Sequence, residues 1–241
     1  KSPGDRPGDT TPWYASYWGF VSRYLTDRFG DDWCLSPEAS FSLHAGNWAV
    51  PAQLLVRAPR GSNKPVSLPH NTSIYDMRVG LPDGKDMQIE NGVRFYTAPA
   101  ALLEATPGIF DQQPINLQVI LAGQRDASAL LSKLLEGGHS VIAGRLAAAF
   151  RAIGRERIAD DIVKTMTKAG YSVREIDPFR DPLVFDLPKR EMSPAAIRIR
   201  LMWHKLREDV IQAFPQAPGL PNDADGYLAR VDDAFVRLSR R

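Results

Sequence analysis

Residues 31–68 read DDWCLSPEASFSLHAGNWAVPAQLLVRAPRGSNKPVSL, and this stretch decides the fold class. Ser36 followed by Pro37 is an N-cap with proline at the first helical position, where its missing N–H removes no bond. Gly46 is a stop signal, so a short helix is predicted between them. Pro51 then leads a strand running from Gln53 to Ala58. A basic loop free of acids follows, bearing Arg57, Arg60 and Lys64. Helix, strand and loop in so short a span predict an α+β chain.

Upstream, residues 1–12 are rich in Pro, Gly and Asp and predict a tail without fixed structure. From Trp13 the pattern turns helical. Tyr14, Tyr17, Trp18, Val21, Tyr24 and Leu25 recur at three- and four-residue steps and share a face. Downstream, Ser73 to Val79 and Val93 to Thr97 are further strand candidates. In the first of these, Tyr75, Met77 and Val79 alternate with Asp76 and Arg78. That alternation predicts a half-buried strand of a small antiparallel sheet, apolar side inward. Pro82-Asp83-Gly84 marks a turn.

From Pro99 the chain reads as mainly helical. Leu130, Leu131, Leu134 and Leu135 form a stripe ending at Gly137-Gly138, and Ser140 is positioned to cap the next helix. Ile142, Leu146, Ala149, Phe150 and Ile153 would be its buried face. Gly154 breaks it. Ile158, Ile162, Met166 and Ala169 mark another helix, stopped by Gly170. Residues 177–192 hold three prolines and mixed charge and read as a linker. Ser193-Pro194 opens a long helix with Ile199, Met202, Leu206, Val210 and Phe214 expected inward. A final helix is expected from Asn222 or Asp223 toward Val236. The domain reading is therefore a tail over 1–12, an α+β domain over 13–176, a linker over 177–192 and a helical region over 193–241.

The bulk numbers restrict function. Among 241 residues the formal charge is +2, so the chain is no polycation and any nucleic-acid contact must come from local patches. No apolar run reaches the roughly 20 residues needed to span a bilayer. One cysteine, Cys34, rules out an internal disulfide and suits a reducing cytoplasm. The four histidines (His44, His70, His139, His204) lack metal-ligand spacing, and no cofactor is expected.

Catalytic chemistry finds little to build on. Cys34 and His44 are close enough in sequence to form a dyad, but a lone cysteine is more often a small apolar filler. Gly137-Gly138-His139-Ser140 precedes a helix, where free N–H groups favour an anion, yet it reads first as a tight turn. Asp160-Asp161 and Asp232-Asp233 point about 100° apart on a helix and make poor shared-proton pairs. Basic clusters carry the best functional signal. Arg145, Arg151, Arg155, Arg157 and Lys164 flank Gly154 and are the candidates for nucleic-acid or anion contact. Arg57, Arg60 and Lys64 are the candidates for partner contact. Plain solvation is the competing reading for each.

Four blocks carry a resemblance. They are WCLSPEASFSLHAGNWAVPAQLLVRAPRGSNKP (33–65), LLEGGHSVIAGRLAAAFRAIGRERIADDIVKTMTKAGYSVRE (134–175), IRIRLMWHKLREDVIQAFP (197–215) and APGLPNDADGYLARVDDAF (217–235). Together they resemble the non-catalytic region that precedes the Fic core in long bacterial Fic proteins. The first block also resembles AbiEi-type abortive-infection antitoxins. The resemblance implies a regulatory, antitoxin-like segment of a longer Fic or toxin–antitoxin protein. Its partners would be a protein or a Fic catalytic domain, with DNA a further possibility. Family catalytic cores carry a His-x-Phe-x-Asp/Glu-Gly-Asn-Gly-Arg loop that this chain lacks, so the expectation is a chain without enzymatic activity. The alternatives are a part of a Fic-type adenylyltransferase and a stand-alone nucleic-acid-binding regulator.

Overall fold

A computed structural model describes residues 10–176, 178–179 and 193–213. It shows an α+β fold with a small mixed sheet and several helices. Helix α1 (Thr11–Phe29) buries Tyr17, Val21, Leu25 and Phe29, one residue per turn. It starts two residues before Trp13, with Pro12 in its first turn, where no intrahelical donor is lost. Trp18 and Tyr24 flank the buried stripe and are half-buried, whereas Tyr14 is exposed rather than on the core face. Gly30 ends the helix at φ 67° and donates to the Thr26 carbonyl at 2.8 Å.

The quoted stretch folds as its caps predict. The Ser36 hydroxyl accepts from the Ala39 N–H at 3.2 Å at the start of α2 (Pro37–His44). Gly46 follows at φ 69°. Ser40, buried in mid-helix, donates to the Ser36 carbonyl and accepts from the Tyr96 N–H at 3.1 Å, tying α2 to a strand.

The main sheet contains β1 (Cys34–Leu35), β2 (Gln53–Arg57), β3 (Pro65–Leu68) and β4 (Thr72–Met77), ordered β1-β2-β4-β3. β5 (Met87–Glu90) and β6 (Val93–Tyr96) form an antiparallel ribbon. The sheet is mixed, not antiparallel as expected: β2 and β4 run parallel, Leu54 opposite Ile74. The cause is the basic loop. It carries the chain out to the edge strand β3, so β4 re-enters beside β2 in the same direction. Gly61 lies where that loop crosses the end of β4. A Cβ there would sit 2.7 Å from the Met77 carbonyl carbon and oxygen, so only glycine fits.

β4 also reverses its predicted faces. Ile74 and Asp76 are buried, Tyr75 and Met77 are half-buried, and Val79 lies exposed beyond the strand. Asp76 is 1% exposed. Its carboxylate faces Arg28 Nη2 of α1 at 2.8 Å and accepts from the Ser62 N–H at 3.0 Å and from the Ser62 hydroxyl. These donors replace the water that a buried carboxylate loses. The alternation was read correctly, but the charge lies on the core side because α1 and the basic loop bring their donors to it.

α3 (Ala98–Glu104), α4 (Ile109–Gln112), α5 (Pro114–Gly123), α6 (Ser128–Gly137), α7 (Ser140–Ala152) and α8 (Glu156–Lys168) build the second layer. The predicted stripes hold for Leu130 and Leu134, for Leu146, Ala149, Phe150 and Ile153, and for Ile158, Ile162 and Met166. Ala169 is exposed. Gly138, at φ 64°, caps α6, and Gly154, at φ 73°, turns α7 into α8. His139 rather than Ser140 takes the cap position of α7, and its side chain bonds no helix amide. α9 (Pro194–Ala213) is capped by the Ser193 hydroxyl, which accepts from Ala196 N–H at 3.2 Å. Ile197 is buried, but Ile199, Met202, Leu206 and Val210, expected inward, are exposed. Phe214, the final helix and most of the 177–192 stretch lie outside the described residues. The chain divides into two compact units, residues 1–199 and 200–241, with the boundary inside α9.

Replacing Asp76 by alanine removes the buried carboxylate that pairs with the partly exposed Arg28 and accepts from the half-buried Ser62. The expected loss is about 3 kcal/mol of unfolding free energy, read from urea denaturation. An unchanged midpoint would refute the buried pairing.

Candidate functional site

The structure separates the arginines that the sequence groups together. Arg151, in the last turn of α7, is held by three carboxylates. Its Nε and Nη2 take Glu175 at 2.7 and 3.3 Å, Nη2 reaches Asp160 at 2.7 Å, and Nη1 pairs with Glu156. Hydrogen bonds donated to Glu175, Asp160 and Glu156 raise the Arg151 pKa above its ordinary value, and the same contact holds the Asp160 carboxyl below the usual range. Arg155 donates to the Ala122 carbonyl at 2.6 Å, neutralising the negative end of α5. The Arg151 guanidinium is thus neutralised by carboxylates, whereas Arg155 is tied to one backbone carbonyl and has no carboxylate partner among the described residues. Arg157 and Lys164 are exposed on α8, Lys164 being 3.9 Å from Asp160.

Arg145 is placed differently. Its guanidinium carbon lies 6.0 Å from the Phe110 ring centre, and among the described residues it has no carboxylate partner. It lines a pocket of about 260 Å³ together with Ser140, Val141, Ser172, Arg174, Ile176 and Pro178. The two walls have different origins. Val141 and Arg145 are four apart and stack on one face of α7. Ser172, Arg174 and Ile176 alternate along an irregular segment after α8, so side chains two apart point the same way.

That segment is fixed at two points. At Gly144 a Cβ would be 2.0 Å from the Arg174 carbonyl oxygen, so glycine is required for this close approach. Glu175, between Arg174 and Ile176, turns the other way to Arg151. Past the pocket, Phe179 is buried and packs edge-on against Phe110 at 5.5 Å. Sequence reasoning missed Arg174, which lies beyond the Gly170 stop. The available signal was the alternation Ser172-Arg174-Ile176 next to a glycine in mid-helix.

The loop candidates also divide. Arg57 donates to the Tyr96 hydroxyl, reaches Glu104 at 3.5 Å and lies 5.6 Å from the Tyr96 ring centre. Arg60 donates to the Phe29 carbonyl at 3.0 Å, at the C-terminal end of α1, and stands 3.8 Å from Asp32. Lys64 is exposed. Two of the three loop cations therefore anchor the loop itself.

Cys34 and His44 are packed groups. Burial pushes the Cys34 thiol up to about 12, leaving no thiolate at neutral pH. His44 Nε2 lies 2.8 Å from the Tyr96 carbonyl, and burial lowers its pKa to about 4, against a smaller opposing effect of Glu90. The neutral ring donates to that carbonyl. Among the described residues no group of three His, Cys, Asp or Glu side chains is placed to hold a metal, and no helix is long and apolar enough to cross a membrane.

Comparisons with protein-family models, with curated proteins and with solved structures returned no match to this chain.

Two outcomes follow from these geometries. His44 is neutral when folded and protonates below about pH 6.5 when unfolded, so stability is complete above that pH and falls toward pH 4. The His44 share of the loss is at most about 3 kcal/mol. His44→Gln should flatten that stretch of the stability–pH curve, and an identical slope in the variant would contradict the assignment. Arg151→Met releases Glu175, so proteolytic cleavage within residues 171–176 should quicken at least tenfold while the sheet stays intact. Unchanged cleavage would show that the segment does not depend on the ion pairs.

Proposed function

We propose that the chain is a non-catalytic regulatory module, antitoxin-like, of a Fic or toxin–antitoxin system, and that it works by binding a protein partner. The family part of this reading rests on the sequence resemblance. The partner-binding part rests on one observation: α9 exposes an apolar stripe. Ile199 (67% exposed), Trp203 (52%), Leu206 (46%) and Val210 follow each other at four-, three- and four-residue steps. That is the spacing of a helix seam built to meet another helix. Exposed apolar residues of this size on one face are uncommon without a partner.

Charge specifies the partner. Arg200 and Arg207 each follow a seam residue and border it on one side. Asp209 borders the other side, so two copies meeting antiparallel along this seam would bring arginines together. An acidic amphipathic helix would pair with them. Nucleic-acid binding is the second reading, favoured by the exposed Arg157 and Lys164 on α8. It predicts a complex that weakens steeply with salt.

An acidic amphipathic helical peptide should bind the full chain and shift the tryptophan emission to the blue. Trp203→Ala should weaken it at least tenfold, the scale of an aromatic anchor, and a lysine-faced counterpart should not bind. Equal binding to the Trp203→Ala chain, or none to the wild type, would refute the seam as the docking face. Transfer of label from ATP to a protein by this chain alone would refute the non-catalytic reading.

A further inference from the structure

We propose that the pocket lined by the start of α7 and by Ser172, Arg174, Ile176 and Pro178 binds a small phosphate monoester with a compact apolar body. Three positively polarised groups converge on it from independent elements. Arg145 comes from the second turn of α7 and is steadied by Phe110. Arg174 comes from the segment docked at Gly144. The third is the N-terminus of α7, a 13-residue helix whose first residues, Ser140 and Val141, line the pocket. The Ser140 and Ser172 hydroxyls add donors that can also accept.

The contrast within this one helix pair sets the pocket apart from an ordinary basic surface. Glu156, Asp160 and Glu175 all converge on Arg151. None pairs with Arg145 or Arg174. Two like charges line one cavity with no counter-ion from the described residues, while three acids gather a short distance along the same helix. The Glu175–Arg151 bond holds the segment in place without neutralising the arginine beside it.

Charge balance selects the anion. Two guanidiniums and a helix N-terminus, worth about half a positive charge, match a phosphate monoester, which carries about −1.5 to −2 near neutral pH. A monocarboxylate would leave one guanidinium uncompensated. The remaining lining selects the rest of the ligand. Val141, Ile176 and Pro178 are apolar, and about 260 Å³ lies below the ~300–1,000 Å³ of drug-sized sites. A compact hydrocarbon or aryl body fits; a long chain does not.

This inference does not rest on the α9 seam, and either can fail alone. The test is calorimetric titration of the full chain with phenyl phosphate, inorganic phosphate and benzoate. Phenyl phosphate should bind saturably, about tenfold tighter than inorganic phosphate because the ring is buried, with benzoate weakest. Arg145→Ala and Arg174→Ala should each weaken phenyl phosphate at least tenfold, the scale of a lost charge-assisted bond. Lys168→Ala, at the exposed end of α8, should bind as the wild type does. If an alanine variant fails to fold, the matching lysine variant, which keeps charge but loses the fork, should still bind several-fold more weakly. Affinity should fall as pH drops through about 6, where the monoester takes up a proton. No saturable heat with phenyl phosphate would overturn the proposal. So would wild-type affinity in both the Arg145 and Arg174 variants, or benzoate binding as tightly as phenyl phosphate.

Discussion

The Arg151 guanidinium is the constraint on which the helical half turns. It receives Glu156 and Asp160 from α8 and Glu175 from the segment beyond. One side chain at the end of α7 thus joins three successive pieces of chain. A lone surface ion pair is worth little, but several carboxylates sharing one fork-shaped donor fix geometry as well as charge. Gly144, two turns earlier on the same helix, admits the backbone of the segment that Arg151 secures. Close approach and ion pairing together create the second wall of the pocket.

The same economy recurs through the molecule. Ser62 donates to one oxygen of Asp76 inside the sheet, and Arg28 pairs with the other by charge. Arg60 meets the C-terminal carbonyls of α1, and Arg155 those of α5. A guanidinium at a helix C-terminus satisfies an orphan acceptor and opposes the negative end of the dipole. Four of the eight cations singled out in the sequence, Arg57, Arg60, Arg151 and Arg155, are therefore engaged in holding helices and loops. Arg145 and Arg174 acquire meaning against this background, since they share a cavity and neither is paired with an acid among the described residues.

The local signals in the sequence translated well where local chemistry decides. The Ser36 cap, the glycine turns at 138 and 154, and the centres of the apolar stripes of α6 to α8 appear as read, while Leu131, Leu135 and Ile142 at their edges are half-buried. What failed depends on distant chain. The inward Asp76 is explained by donors from α1 and the 58–64 loop. The parallel β2–β4 pair is explained by an excursion to β3. The faces of α9 were reversed because an amphipathic pattern shows that a face will be covered, not by what: Ile197 is buried while the expected Ile199 is exposed. Arg174 was missed because its segment belongs to no helix or strand, so the alternation Ser172-Arg174-Ile176 did not by itself say what it would face. Its place follows from Gly144 and Glu175, whose partners lie many residues away.

The central claim is a division of labour, with Arg151 structural and Arg145 and Arg174 open to an anion. The most direct measurement follows the side-chain Nε–Hε resonances of these three arginines by NMR while phenyl phosphate is added. The account predicts that the Arg145 and Arg174 signals move along one saturating curve while Arg151 keeps its shift and its slow exchange with water. Movement of Arg151, with Arg145 and Arg174 stationary, would contradict it.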